Sequence, residues 1–128
     1  MKIFDSRNGW SSKVNFVDEN NLVVGYDMSQ GCCEVANWYI ADQVTNRDPE
    51  KSYEEGAFEG FVFDPDFFED VDGNYDAGGC VAFKLVKENA NPLYLHICNS
   101  HNGYYGHGFS FQILEGEEVI RTIKDGVL

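Results

Sequence analysis

Apolar and polar positions alternate with a period of two through most of the chain. Between Lys13 and Val17, Val14 and Phe16 share one side; after the turn-like Asp18-Glu19-Asn20-Asn21, a β-rich run resumes from Leu22 to Tyr26. Apolar residues two apart line one face of a strand, so two such runs about a polar tetrapeptide predict a hairpin. The C-terminal part is plainer. Val81, Phe83 and Leu85 alternate with Ala82, Lys84 and Val86; Asn89 to Pro92 makes a turn; Leu93, Leu95 and Ile97 alternate with Tyr94, His96 and Cys98. A Gly- and Asn-rich loop runs from Asn99 to Gly108. Phe109, Phe111 and Ile113 then alternate with Ser110, Gln112 and Leu114, and Glu115-Gly116 turns tightly into Glu118 to Lys124. Four strands in succession predict an antiparallel meander with one buried face. Cys32 to Ala41, with Trp38 and Tyr39, follows a break at Gly31 and fits either a strand or a short helix. No long amphipathic run with capping residues occurs. The expected fold is mainly β, or α+β with one short helix. It is an antiparallel meander forming a compact sandwich or roll, with residues 1–128 as a single domain.

The middle departs from this pattern. From Asp42 to Asp76, twelve acidic residues stand against Arg47 and Lys51, so segment 42–76 holds −10 of the chain's net charge of −13. Tyr53, Phe58, Phe61, Phe63, Phe67, Phe68 and Tyr75 are interleaved among the carboxylates. A solvated linker lacks such rings, so the segment is expected to fold over the sheet, burying rings and displaying acids. The charge also narrows function. With 22 acidic and 9 basic residues, the chain lacks the basic surface that nucleic-acid phosphate or an anionic membrane requires. No apolar run approaches the roughly 20 residues of a membrane span. The start, Met-Lys-Ile-Phe-Asp, has no apolar signal core, and a cytoplasmic protein is expected.

Cys32, Cys33, Cys80 and Cys98 are expected to be free thiols serving as small buried hydrophobes. Cys32 and Cys33 are neighbours whose side chains diverge on an extended chain, a poor pair for a disulfide or for zinc. Cys98, His101 and His107 have the spacing C-x2-H-x5-H, without the paired ligands of a structural zinc site. Asp70 to Asp76 places oxygen donors at every second residue, yet the sixth position of an EF-hand loop, glycine, is Tyr75 and the twelfth, glutamate, is Val81. No metal and no cofactor is expected. Gly103, Gly106 and Gly108 sit between strands, where no phosphate loop forms. No nucleophile elbow, thiol-protease signature or distinct carboxylate pair singles out a catalytic centre, and no enzyme is expected.

Two segments together bear a resemblance. Gln30-Gly31-Cys32-Cys33-Glu34, followed by Trp38-Tyr39-Ile40, resembles the Cys-Cys-Glu motif of a group of short bacterial and phage proteins that form a domain of unknown function. That group also has a strand leading into Asn-Gly-Tyr-Tyr near the C-terminus; here Tyr94 to Cys98 leads into Asn99-Ser100-His101-Asn102-Gly103-Tyr104-Tyr105, then Phe109 to Ile113. The group's acid before Cys-Cys is Gly31 here, and the acidic middle has no counterpart. The resemblance spans about half the chain. It implies a compact mainly-β domain of bacterial or phage source and transfers no activity. If the two motifs meet in the fold, Cys32 or Cys33 packs beneath the Asn102-Gly103 turn and Glu34 accepts hydrogen bonds from loop N–H groups or tyrosine hydroxyls, as a keystone or as a site.

The functional expectation is a non-enzymatic binding protein, an inhibitor, immunity or counter-defence factor acting by stoichiometric binding to a basic protein. Its acidic face would comprise Glu54, Glu55, Glu59, Asp64, Asp66, Glu69, Asp70 and Asp72. The alternative is a small-molecule-sequestering module, a homo-oligomer in one form, using loop 99–108 through His101, Asn102, Tyr104, Tyr105 and His107. An anionic ligand there would need Lys84, Lys87, Arg121 and Lys124 to converge.

Overall fold

A computed structural model describes residues 1–5, 13–28, 35–51, 53–54, 56–71, 79–100 and 107–128. Ten strands form in chain order: β1 (Lys2–Asp5), β2 (Lys13–Val17), β3 (Leu22–Asp27), β4 (Val35–Ala41), β5 (Val62–Phe63), β6 (Glu69–Asp70), β7 (Gly79–Val86), β8 (Leu93–Ser100), β9 (Gly108–Glu115) and β10 (Glu118–Val127). Among the described residues there is no helix. The run left open between strand and helix is β4, paired along its length with β8. All pairings are antiparallel. One sheet has the order β1-β2-β3-β9-β10; the other has β4-β8-β7-β5, with β6 beside β5 on the same edge of β7. The fold is a mainly-β sandwich.

The β2–β3 hairpin forms as its alternation predicts, with Val14, Phe16 and Val24 wholly buried. Asn21 takes a φ of 64°, a left-handed position that asparagine tolerates. The C-terminal strands also match the alternation, but they do not stay in one sheet. β7 and β8 belong to the second sheet, whereas β9 pairs with β3 and β10 in the first. The meander is therefore split between the sheets after β8. β7, β8 and β9 each have one strongly apolar face, and facing sheets bury these faces against one another.

The core lies between the layers. Phe16, Val24, Phe109 and Phe111 of the first sheet meet Val81, Phe83, Leu85, Leu95 and Ile97 of the second. Phe83 lies edge-on to Phe111 at 5.2 Å and to Phe63 at 6.5 Å. The outer face of the second sheet is also covered, with Tyr39, Ala41, Cys80, Ala82 and His96 buried. There Cys80 and Cys98 sit directly opposite each other on β7 and β8 and form a disulfide. This corrects the expectation of free thiols for that pair. The strand register brings together two cysteines 18 residues apart, and a local reading cannot see register. Cys32 and Cys33 lie outside the described residues.

Candidate functional site

β1 is the last strand of the first sheet and β4 the last of the second. Between them runs a groove of about 1270 Å³. Ile3 and Phe4 of β1 form one wall, and Trp38, Tyr39 and Ile40 of β4 form another. The connection from β4 to β5 adds Tyr53 and Phe58, and its acids Asp48, Glu50, Glu54 and Glu59 stand around them with Glu19. The result is an apolar, aromatic floor under a carboxylate rim. Lys2 and Lys51 are the basic side chains in the lining.

Packing holds the rings in place. Trp38 meets Phe16 of the core edge-on at 5.1 Å. Tyr53 lies against Phe58 at 4.8 Å and donates its hydroxyl hydrogen to the Ile40 carbonyl at 3.3 Å. Burial, and then the nearby Asp42 carboxylate, raise the Tyr53 pKa, so the hydroxyl stays a neutral donor. The Met1 amino group donates to the Phe58 carbonyl at 2.8 Å. Lys51 places its ammonium 5.2 Å from the Tyr53 ring centroid, within cation–π range. Among the described residues, neither Lys51 nor any rim carboxylate is ion-paired.

Two polar arrangements fix the segment behind this rim. Tyr39 stacks on His96 at 4.5 Å and donates its hydroxyl hydrogen to the Thr45 carbonyl at 2.6 Å. The Thr45 N–H donates to His96 Nε2 at 3.1 Å, so that nitrogen must be unprotonated, and Nδ1–H is left to donate to the Tyr94 carbonyl at 3.1 Å. Burial lowers the His96 pKa, which keeps the ring neutral and able to accept. The second arrangement is the buried Asp18. Its Oδ1 accepts from the Asn20 and Leu22 amides at 2.9 and 2.8 Å, and its Oδ2 from the Phe63 amide at 2.8 Å. One side chain thus closes the hairpin turn and ties β5 to it.

The described carboxylates of the acidic stretch stand in two places. Glu54 and Glu59 stand at the groove, whereas Asp64, Asp66, Glu69 and Asp70 follow the edge of β7. There the Asp64 amide donates to the Lys84 carbonyl and Asp64 Oδ1 accepts from the Asp66 amide. The rings divide in the same way. Phe63 enters the core, and Phe68 packs against it, stacked on Phe109 at 5.9 Å. Phe67 instead meets Tyr94 at 5.6 Å.

Glu55, Asp72, Cys32, Cys33, Glu34, His101, Asn102, Tyr104 and Tyr105 lie outside the described residues. His107 is buried at the start of β9, edge-on to Tyr26 at 6.3 Å, and its main chain exchanges hydrogen bonds with Leu128. Among the described residues, no group of three or more His, Cys, Asp or Glu is placed to hold a metal ion.

The sequence reading missed the contributions of Trp38, Lys51 and Asp18 to this region. Trp38 was legible as an aromatic in a possible strand. Its place beside β1 depends on how two separate sheets pack against each other. Comparison with family models, with curated proteins and with solved structures finds no match to this chain.

Proposed function

We propose that this chain is a non-enzymatic binding protein that engages a basic protein partner stoichiometrically. In a bacterium or phage this is the action of an inhibitor, an immunity protein or a counter-defence factor. The observation that supports the reading is the groove between β1 and β4, where Asp48, Glu50, Glu54 and Glu59 stand unpaired around Trp38, Tyr53 and Phe58. Carboxylates already neutralised by the protein's own lysines and arginines would have little left to offer a partner. These form no ion pair with a described residue, and they outnumber the Met1 ammonium, Lys2 and Lys51 that share the lining. Opposite charge on a partner then speeds encounter and sets orientation, while the aromatic floor contributes the desolvated contact that holds a complex.

The test begins with native mass spectrometry of the protein purified gently from its own host. A complex with a second, basic protein is expected. Reversing Glu54 and Glu59 to lysine should weaken that complex and flatten its dependence on salt, because screening acts only on the charges that remain. A complex of unchanged affinity after reversal refutes the reading. A bound mass of a few hundred daltons would favour the sequestering module instead.

A further inference from the structure

The shape of the β1–β4 groove and a cation already inside it lead to a narrower statement, which rests on the reading of the chain as a binder of a basic partner. At about 1270 Å³ the groove is larger than the roughly 300–1,000 Å³ of small-molecule sites, which fits a stretch of polypeptide better than a metabolite. β1 ends its sheet, and no described strand pairs with its outer edge. Phe4 on that strand is 55% exposed. An open edge strand offers main-chain donors and acceptors to an extended segment. Such a segment turns alternate side chains to opposite faces, so every second residue can meet the Trp38 and Phe58 floor while the others reach the acidic rim.

Lys51 identifies the preferred head group. Its ammonium lies over the Tyr53 ring at 5.2 Å with no ion pair to a described carboxylate. The ring face therefore already attracts a cation, and the protein's own lysine fills it. We propose that the groove receives an extended partner segment in which lysine or arginine alternates with apolar residues, and that an incoming cation displaces Lys51 from Tyr53. Glu54 and Glu59 then face the segment's neighbouring basic residues.

The probe is a short, end-capped peptide alternating lysine and leucine, titrated calorimetrically into the intact protein at low and at raised salt. Binding that weakens with salt is expected, and Tyr53→Leu should weaken it further. Lys51→Gln should tighten it about two- to fivefold, the worth of one exposed cation–π contact. That gain should vanish in the Tyr53→Leu background. Lys2→Gln removes the same charge from the groove lining without touching Tyr53, and should give a smaller gain that persists there. Thermal melting of each variant checks that the fold is kept. Equal gains from Lys51→Gln and Lys2→Gln, each independent of Tyr53, would overturn the proposal, as would absence of binding. If Asp66→Lys with Glu69→Lys abolishes binding and the groove variants leave it intact, the groove is overturned while an acidic binding face survives. Indifference to both sets overturns the two readings together.

Discussion

Residues 48–60 and 61–70 are built from the same materials and do different things. Each mixes carboxylates with aromatic rings. In the second stretch, Val62 and Phe63 pair with Val86 and Leu85, and Glu69 and Asp70 pair with Ala82 and Val81. Those ladders anchor the main chain to the edge of β7 and direct Phe63 and Phe68 between the sheets. The described residues of 48–60 form no ladder. They are held by the Tyr53 hydroxyl, the Phe58 carbonyl and the preceding Thr45 tie, and their rings line an open groove. Aromatic residues among acids thus become core where a strand ladder aims them inward, as at Phe63, and line a groove where none does.

The strongest way to break this contrast is to truncate one ring on each side. Phe63 is fully surrounded, so Phe63→Ala should cost about 3–5 kcal/mol in chemical denaturation. Phe58→Ala, at a half-buried position, should cost clearly less and appear instead as weaker peptide binding. Equal losses of stability would mean that the groove ring is core after all.

Asp18 comes next, because it joins the anchored stretch to the hairpin. Asp18→Ala leaves three amides without their acceptor and should cost about 2–4 kcal/mol. Asp18→Asn keeps the shape and one acceptor oxygen, and should be milder. A neutral Asp18→Ala would show that the turn and β5 hold without it.

The tie behind the groove can be tested by pH. The folded-state pKa of His96 lies below its ordinary 6.5, so in the window between the two the unfolded chain takes up a proton that the folded chain refuses. Stability from this group is complete above about pH 6.5 and falls as the pH drops through that window. His96→Gln should remove this component of the melting-temperature profile. Because protonation of Nε2 also breaks the Thr45 bond, amides near Thr45 should lose protection locally only below that window, where the folded chain itself takes up the proton. An unchanged profile in His96→Gln would remove the group from the account.

The smallest effect concerns two of the cation–π lysines, Lys124 and Lys51. Lys124 lies over Phe68 at 5.1 Å, on a ring fixed in the core, and Lys124→Ala should cost about 0.5–1 kcal/mol of stability. Lys51 lies over a groove ring, and its replacement should alter stability no more than this. A stability loss from Lys51→Gln larger than that of Lys124→Ala would reverse the contrast.

Much of the strand content was legible. Val14 and Phe16, Val81 to Leu85, and Phe109 to Ile113 each show a period of two, and each forms a strand with the expected face buried. The candidate site was legible only in part. Glu54 and Glu59 were visible as members of an acidic run, yet nothing in that run separates them from Asp66 and Glu69. The apolar residues Val119 and Ile120 on β10 show the same limit, since both are exposed although their strand is β-rich in sequence.

Alternation, turn residues and charge density are local properties. By themselves they determined that the chain is β-rich, where most strands run, and that its middle combines acids with rings. Partner choice between strands is non-local and was decided only in the tertiary structure. It sent β9 to β3 instead of β8, set Cys80 opposite Cys98, and brought β1 beside β4 to open a groove. The physical reason is that a strand satisfies its hydrogen bonds equally well against many neighbours. Which neighbour it takes depends on burying the apolar faces of two whole sheets at once, and no short window of sequence contains that sum.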